Sequence, residues 1–196
     1  MKYGIFALGT SILLLQLGCN SVYNLKMNPE QTDFQQNQIR QLEARHFRIP
    51  CRINIQCPET MVGIRDALFF TDTYRYPLDM ILDYTFKSIA FQVFDAPGNE
   101  VVDSFTLTVT IPESILDVAW GEGNYSLTAI IRFDDPREKR LCGFSLSRQV
   151  TVPMPENKDE VPACIYTACR EIAFDAMKMI VKDPRVLKTI RRYEER

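Results

Sequence analysis

The sequence predicts an α+β domain: an antiparallel-rich sheet of four to five strands with two helices packed on one face. Three observations point there. Ser104 to Ile111 and Tyr125 to Phe133 alternate apolar and polar residues with a period of two. Leu78 to Ile89 and Ile165 to Ile180 instead repeat apolar residues at spacings of three and four. These segments come in the order strand, helix, strands, helix, and the simplest closure lays both apolar helix faces on one side of the sheet. The composition supports a folded core, with 46% apolar and 24% charged residues among 196.

The chain opens on Met1-Lys2-Tyr3, followed by an apolar stretch from Gly4 to Leu17 that only Thr10, Ser11 and Gln16 interrupt, and then Leu17-Gly18-Cys19-Asn20. A short basic start, an apolar segment and a small residue before a cleavage point make a secretory signal peptide, assigned to residues 1–18. It is shorter than the roughly 20 apolar residues of a comfortable transmembrane helix. Residues 19–46 read as a polar tether carrying Gln31, Gln35, Gln36, Gln38 and Gln41. As a flexible chain it would span about 25–30 Å. Asn28-Pro29-Glu30 supplies a cap, a proline at the first helical position and an acidic first turn, so a short helix fits inside it.

The domain is assigned to residues 47–182. Ile49, Cys51, Ile53, Ile55 and Cys57 alternate with Arg52, Asn54 and Gln56 as a half-buried strand. Pro50 has no N–H for a ladder and puts the start of that strand at a sheet edge. Met61 to Phe70 is an apolar run compatible with either period, and Thr71 to Tyr76 reads as a helix-entry loop. Tyr76-Pro77-Leu78-Asp79 opens the first helix, and Asp95-Ala96-Pro97-Gly98-Asn99 is a turn. Pro112 to Asn124 reads as a loop between the two clear strands. Asp134 to Arg140 is a turn charged enough to require solvent, and a further strand runs from Phe144 to Val152. The second helix starts near Glu160 and ends at Asp183-Pro184. Residues 183–196 form a basic tail in which Val186, Leu187 and Ile190 would suit a short helix.

The net charge is -2, and Lys2 is the sole charge in the first 18 residues. A mildly acidic chain lacks the electrostatic footprint of a nucleic-acid binder. Export would place Cys51, Cys57, Cys142, Cys164 and Cys169 in a disulfide-permissive compartment. Two readings stand for them: a long-range bridge, such as sheet to C-terminal helix, or buried free thiols. A local Cys51–Cys57 bridge fails on one strand, where about 20 Å at ~3.3 Å per residue separates the two. On one helix, Cys164 and Cys169 point about 140° apart, so a bridge between them needs Cys164 before the helix. The one histidine, His46, sits in a linker-like stretch and suits a solvated or packing role; no metal site and no cofactor are expected. Trp120, in the loop before Gly121, is the exposed-aromatic candidate for a partner contact, the alternative being that it folds back over the sheet edge.

Leu17-Gly18-Cys19 resembles the lipobox of bacterial lipoproteins. The resemblance implies that Cys19 is diacylated and becomes the new N-terminus, and Asn20 in place of aspartate implies the outer membrane, facing the periplasm. Gln16 stands where the lipobox usually has leucine, and the alternative is ordinary cleavage to a soluble secreted protein. The order of elements from residue 47 to 182, with Tyr76-Pro77-Leu78-Asp79-Met80-Ile81-Leu82-Asp83 opening the helix, is similar to small envelope lipoproteins. Examples are the lipopolysaccharide-assembly lipoprotein and the auxiliary lipoproteins of ABC-type transport systems. That likeness implies a non-catalytic accessory, scaffold or assembly role with an envelope protein partner, held to the membrane by its lipid. An enzyme with an unrecognised site is the alternative.

Overall fold

The computed structural model describes residues 19–42, 45–67, 70–98, 103–119, 122–153 and 161–195; the signal-peptide segment 1–18 lies outside the described residues. In chain order the elements are β1 (Cys19–Asn24), a 3₁₀ turn (Pro29–Thr32), α1 (Gln36–Arg40), β2 (Phe47–Gln56), β3 (Met61–Ala67), β4 (Phe70–Tyr76) and α2 (Leu78–Ala90). They continue with β5 (Phe94–Asp95), β6 (Phe105–Ala119), β7 (Glu122–Asp134), β8 (Arg140–Pro153), α3 (Val161–Lys182) and α4 (Pro184–Glu194). The α+β class holds, with eight described strands in place of four or five.

The centre of the sheet is the long β6–β7 hairpin. β7 continues into β8 by antiparallel pairing that runs from Glu122↔Pro153 to Asp134↔Arg140. On the other side of β6, two strands sit end to end. β2 pairs in parallel with its first half, Cys51↔Phe105 to Gln56↔Thr110. β3 lies in parallel beside its second half, at Ile64↔Asp117. β3 then pairs antiparallel with β4, and β4 pairs in parallel with β1. Pro50 does lie at a margin, where the start of β2 meets only the two-residue β5.

The residues read as a loop from Pro112 are the second half of β6. The reason is a β-bulge: the register with β7 shifts between Thr110 and Glu113. Before it, Phe105, Leu107 and Val109 are buried, all odd positions; after it, Leu116 and Val118 are buried while Ile115 is half exposed. One extra residue flips which positions face the core, so alternation breaks in the sequence while the strand continues. Pro112 falls inside the bulge, where a missing ladder N–H costs nothing. Met61–Ala67 and the supposed helix-entry loop with Phe70 before it are likewise strands, β3 and β4. Tyr74 and Tyr76 are buried, which the polar look of Thr71–Tyr76 concealed.

Both long helices pack on the inward face, as their stripes require. α2 buries Leu78, Ile81, Leu82, Phe86 and Ile89, and its buried Thr85 donates its hydroxyl to the Ile81 carbonyl at 2.6 Å. α3 buries Cys164, Ile165, Ala168, Cys169, Ile172, Ala176 and Ile180, and it covers β7 and β8 while touching α2. The basic tail belongs to the fold: Asp183 caps α4, accepting from the Arg185 and Val186 amides, and Val186 and Ile190 are buried. Asp134 and Asp135 turn inward at the charged hairpin, where Asp135 accepts from the Arg137 and Lys139 amides at 2.9 Å; Arg137 to Arg140 stay exposed as expected.

The segment read as a tether is structured. β1 joins the sheet, Asn28 caps the 3₁₀ turn through its side chain, and Thr32 and Leu42 are buried. Tyr23, Leu25, Met27 and Phe34 of this segment pack partly buried against the core, while Val22 stays half exposed.

Candidate functional site

Cys19 is the first residue of β1, in register with Phe70 of β4. The candidate anchor therefore sits on the sheet itself. Trp120 lies outside the described residues.

The packing of the N-terminal segment against α3 creates a cleft that the sequence reading missed. About 410 Å³ in volume, it is bordered by Phe34 and Gln38 on one side and by Arg148, Arg170, Phe174 and Asp175 on the other. Phe34 stacks on Phe174 with ring centroids 6.4 Å apart. The Arg170 guanidinium lies 5.6 Å over the Phe34 ring and donates through Nη2 to the Gln38 side-chain oxygen at 2.8 Å. Its Nε–H is buried with no acceptor among the described residues. Arg148 is held by Asp175 and, at 3.6 Å, by Glu171. Chemically this is an aromatic floor beside one unanswered donor, suited to a hydrogen-bond acceptor rather than to acid/base work. Phe34 and Gln38 fall in the stretch read as a polar tether, which has almost no periodicity. The i, i+4 pair Arg170 and Phe174 on the rim of a helix was the available signal.

The cysteines divide by depth. All five of Cys51, Cys57, Cys142, Cys164 and Cys169 are free, and all but Cys57 are buried. Burial pushes the Cys51 thiol up to about 12 and those of Cys57, Cys142 and Cys164 up to about 11; Cys169 is displaced further in the same direction. Thiols held protonated this firmly are packing groups, not nucleophiles. Cys164 lies within α3, which removes the one local bridge that the spacing left open. Beside them is a polar chain inside the core: Ser114 Oγ lies 2.8 Å from the Tyr125 hydroxyl and 3.1 Å from that of Tyr76. Burial raises both phenols, and the bulge in β6 is what turns Ser114 toward them. This chain satisfies buried hydroxyls and has no partner base.

His46 is half exposed and bridges to the β5 segment. Its Nε2–H donates to Asp95 Oδ1 at 2.8 Å, and its Nδ1 lies 3.3 Å from the Gln92 carbonyl. Two acceptors favour the doubly protonated ring, so the Asp95 hydrogen bond first, and the Gln92 carbonyl second, raise its pKa above 6.5. A raised folded-state value gives a stabilisation that is fully present below the unfolded-state pKa and lost as pH rises through the folded one. An NMR titration of His46 is expected to show that raised midpoint, and Asp95→Asn should return it toward 6.5. An unchanged midpoint in the variant would show that the pair is not formed in solution.

No group of three or more His, Cys, Asp or Glu side chains among the described residues could hold a metal ion, and no described helix is long and apolar enough to cross a membrane. No protein-family model matches the chain, and no curated protein matches it. Among solved structures, it is similar to the crystal structure of a Xanthomonas campestris protein of the family described as DUF330. The TM-score is 0.51 at 8% identity, over 87% of this chain and 98% of that one. A more partial likeness is to a minor lipoprotein from Acinetobacter baumannii, with a TM-score of 0.36 at 12% identity over 53% of this chain and 82% of that one. The first likeness establishes a shared fold and nothing about activity.

Proposed function

We propose that the chain is a bacterial envelope lipoprotein, anchored through Cys19, with a non-catalytic accessory, scaffold or assembly role toward an envelope protein. The observation that carries this reading is the position of Cys19. It closes a lipobox-like segment and at once opens β1, so acyl chains there would hold the sheet directly against a membrane. Each buried methylene of an acyl chain contributes about 0.8 kcal/mol, so two or three chains give stable anchoring. Asn20, in place of the aspartate that marks inner-membrane retention, favours the outer membrane, facing the periplasm.

Metabolic labelling with a palmitate analogue tests the anchor. The native chain should take the label and fractionate with membranes, and Cys19→Ala should lose the label completely. An unlabelled native chain with unchanged fractionation would mean a soluble exported protein instead. Cross-linking in intact envelopes then tests the accessory role, by recurrent recovery of the same envelope protein. If no partner is recovered and the purified protein turns over a substrate, the enzyme alternative is correct.

A further inference from the structure

β8 forms an open edge of the sheet. β7 fills one side of it from Arg140 to Pro153, and among the described residues no strand pairs with the other side. Its start is covered, with Leu141 and Cys142 buried where α4 approaches. Beyond it, the cross-strand partners fix the inward row: Phe144 opposite Ile131, Leu146 opposite Ala129, Arg148 opposite Leu127 and Val150 opposite Tyr125. Those four β7 residues are fully buried, whereas Phe144, Leu146 and Val150 are only partly buried against the core. Sheet edges are ordinarily blunted by proline, lysine, bulges or shortness. Gly143 to Val152 contains neither proline nor lysine, and its register with β7 is unbroken. Its one charge, Arg148, points inward but is already paired with Asp175 and Glu171. Arg148 also borders the cleft in which the Nε–H of Arg170 lacks an acceptor.

We infer that β8 takes an extended segment of an envelope protein as a further strand of the sheet. Backbone hydrogen bonds along the edge supply affinity, and the inward row supplies specificity. Apolar side chains of the segment cover Phe144, Leu146 and Val150, and a carboxylate or amide opposite Arg148 serves as the acceptor that the neighbouring cleft lacks. The inference rests on the lipoprotein reading, because the anchor argues against a second copy of this chain as the occupant. Cys19 lies at the Pro153 end of the sheet: it starts beside Phe70 and Ala67, β3 runs parallel to β6, and Ala119 at the end of β6 pairs with Glu122, which pairs with Pro153. Two copies joined β8 to β8 by a two-fold axis are either antiparallel or parallel. The antiparallel pair carries its two Cys19 residues at opposite ends, so a membrane against one end holds only one of them. The parallel pair turns the second sheet over and sets Phe144, Leu146 and Val150 beside the polar outward row of Ser145, Ser147, Gln149 and Thr151. A segment of another protein meets neither obstacle.

A photo-reactive benzophenone side chain in place of Ser147, which is exposed on β8, tests the edge in intact envelopes. It is expected to capture one envelope protein repeatedly, at a segment that alternates apolar residues. The same group in place of Met80, exposed on α2, should not capture it. In an antiparallel pair alternate N–H groups point away from the partner strand, so every second β8 amide faces the open side. The captured segment, made as a synthetic peptide, should slow exchange of those amides between Gly143 and Thr151 by at least about tenfold in the purified protein. A backbone N-methylated version of the peptide should leave them unchanged. A peptide that leaves the β8 amides unprotected overturns the inference, as does the absence of any adduct at Ser147. Adducts between two copies of this chain overturn it in favour of self-pairing. Palmitate-analogue labelling in the same cells separates the failures: labelled protein without a Ser147 adduct sinks this inference alone. An absent label overturns the lipoprotein reading, and this inference with it.

Discussion

Phe133→Ala should lower the unfolding free energy by about 3–5 kcal/mol, the largest loss expected from any single truncation in this core. Phe133 is the middle of a row of five rings. Its centroid lies 5.6 Å from Phe94 and 5.7 Å from Phe105; Phe94 stacks on Phe47 at 5.7 Å, and Phe105 meets Tyr193 edge-on at 5.2 Å. The row ties β2, β5, β6, β7 and α4 together, and Phe133 itself is fully buried. Removing it forfeits the transfer energy of the ring, opens a cavity that four neighbouring aromatics cannot collapse into, and breaks two stacking contacts. Against a typical total of roughly 5–15 kcal/mol, that is enough to leave the domain marginal. Urea denaturation checks it, with Phe133→Leu as a milder control that keeps most of the volume. A loss below about 1 kcal/mol for the alanine variant would show that this row does not carry the core.

The second large effect is an overpacking. A β-carbon at Gly63 would lie 2.7 Å from the Cβ and Cδ2 of Leu116 and 2.8 Å from its Cγ. Gly63 sits in β3 where it comes up against the second half of β6, and Leu116 points into the core there, 2% exposed. A Cβ is tied to its backbone, so two of them at that distance can separate only if the strands do. Gly63→Ala is therefore expected to cost about 1–3 kcal/mol, and Gly63→Val more. Leu116→Gly removes every atom of the clash. The double variant Gly63→Ala with Leu116→Gly should then be more stable than the sum of the two single losses by roughly 1 kcal/mol, which a double-mutant cycle measures. Strict additivity would mean that β3 and β6 do not approach so closely.

Both predictions concern contacts that no local pattern announces. The apolar stripes of α2 and α3 and the alternation of β7 are visible because each element buries one face, and burial imposes its own period on neighbouring residues. Phe105, Leu107 and Val109 were readable as core for that reason, as were Ile172 and Ile180. The second half of β6 was not, because the bulge shifts the inward positions by one. β3 and β4 were not, because their buried groups include Gly63, Tyr74 and Tyr76, which resemble loop residues out of context. The cleft at Arg170 needs a helix and a segment 132 positions away in the chain, and only docking brings them together.

Taken alone, the sequence determined the α+β class, the two helix faces, the strand alternation around the central hairpin and the lipobox-like segment ending at Cys19. Each of these depends on residues within a few turns or a few strand positions of one another. The tertiary structure alone decided that the polar stretch after Cys19 folds into the sheet, that the five cysteines are buried or half-buried thiols, and that Cys19 shares one end of the sheet with the β3–β4 and β6–β7 hairpins. These depend on strand register and on pairings between distant segments, and the free energy that selects them is spread over many small contacts.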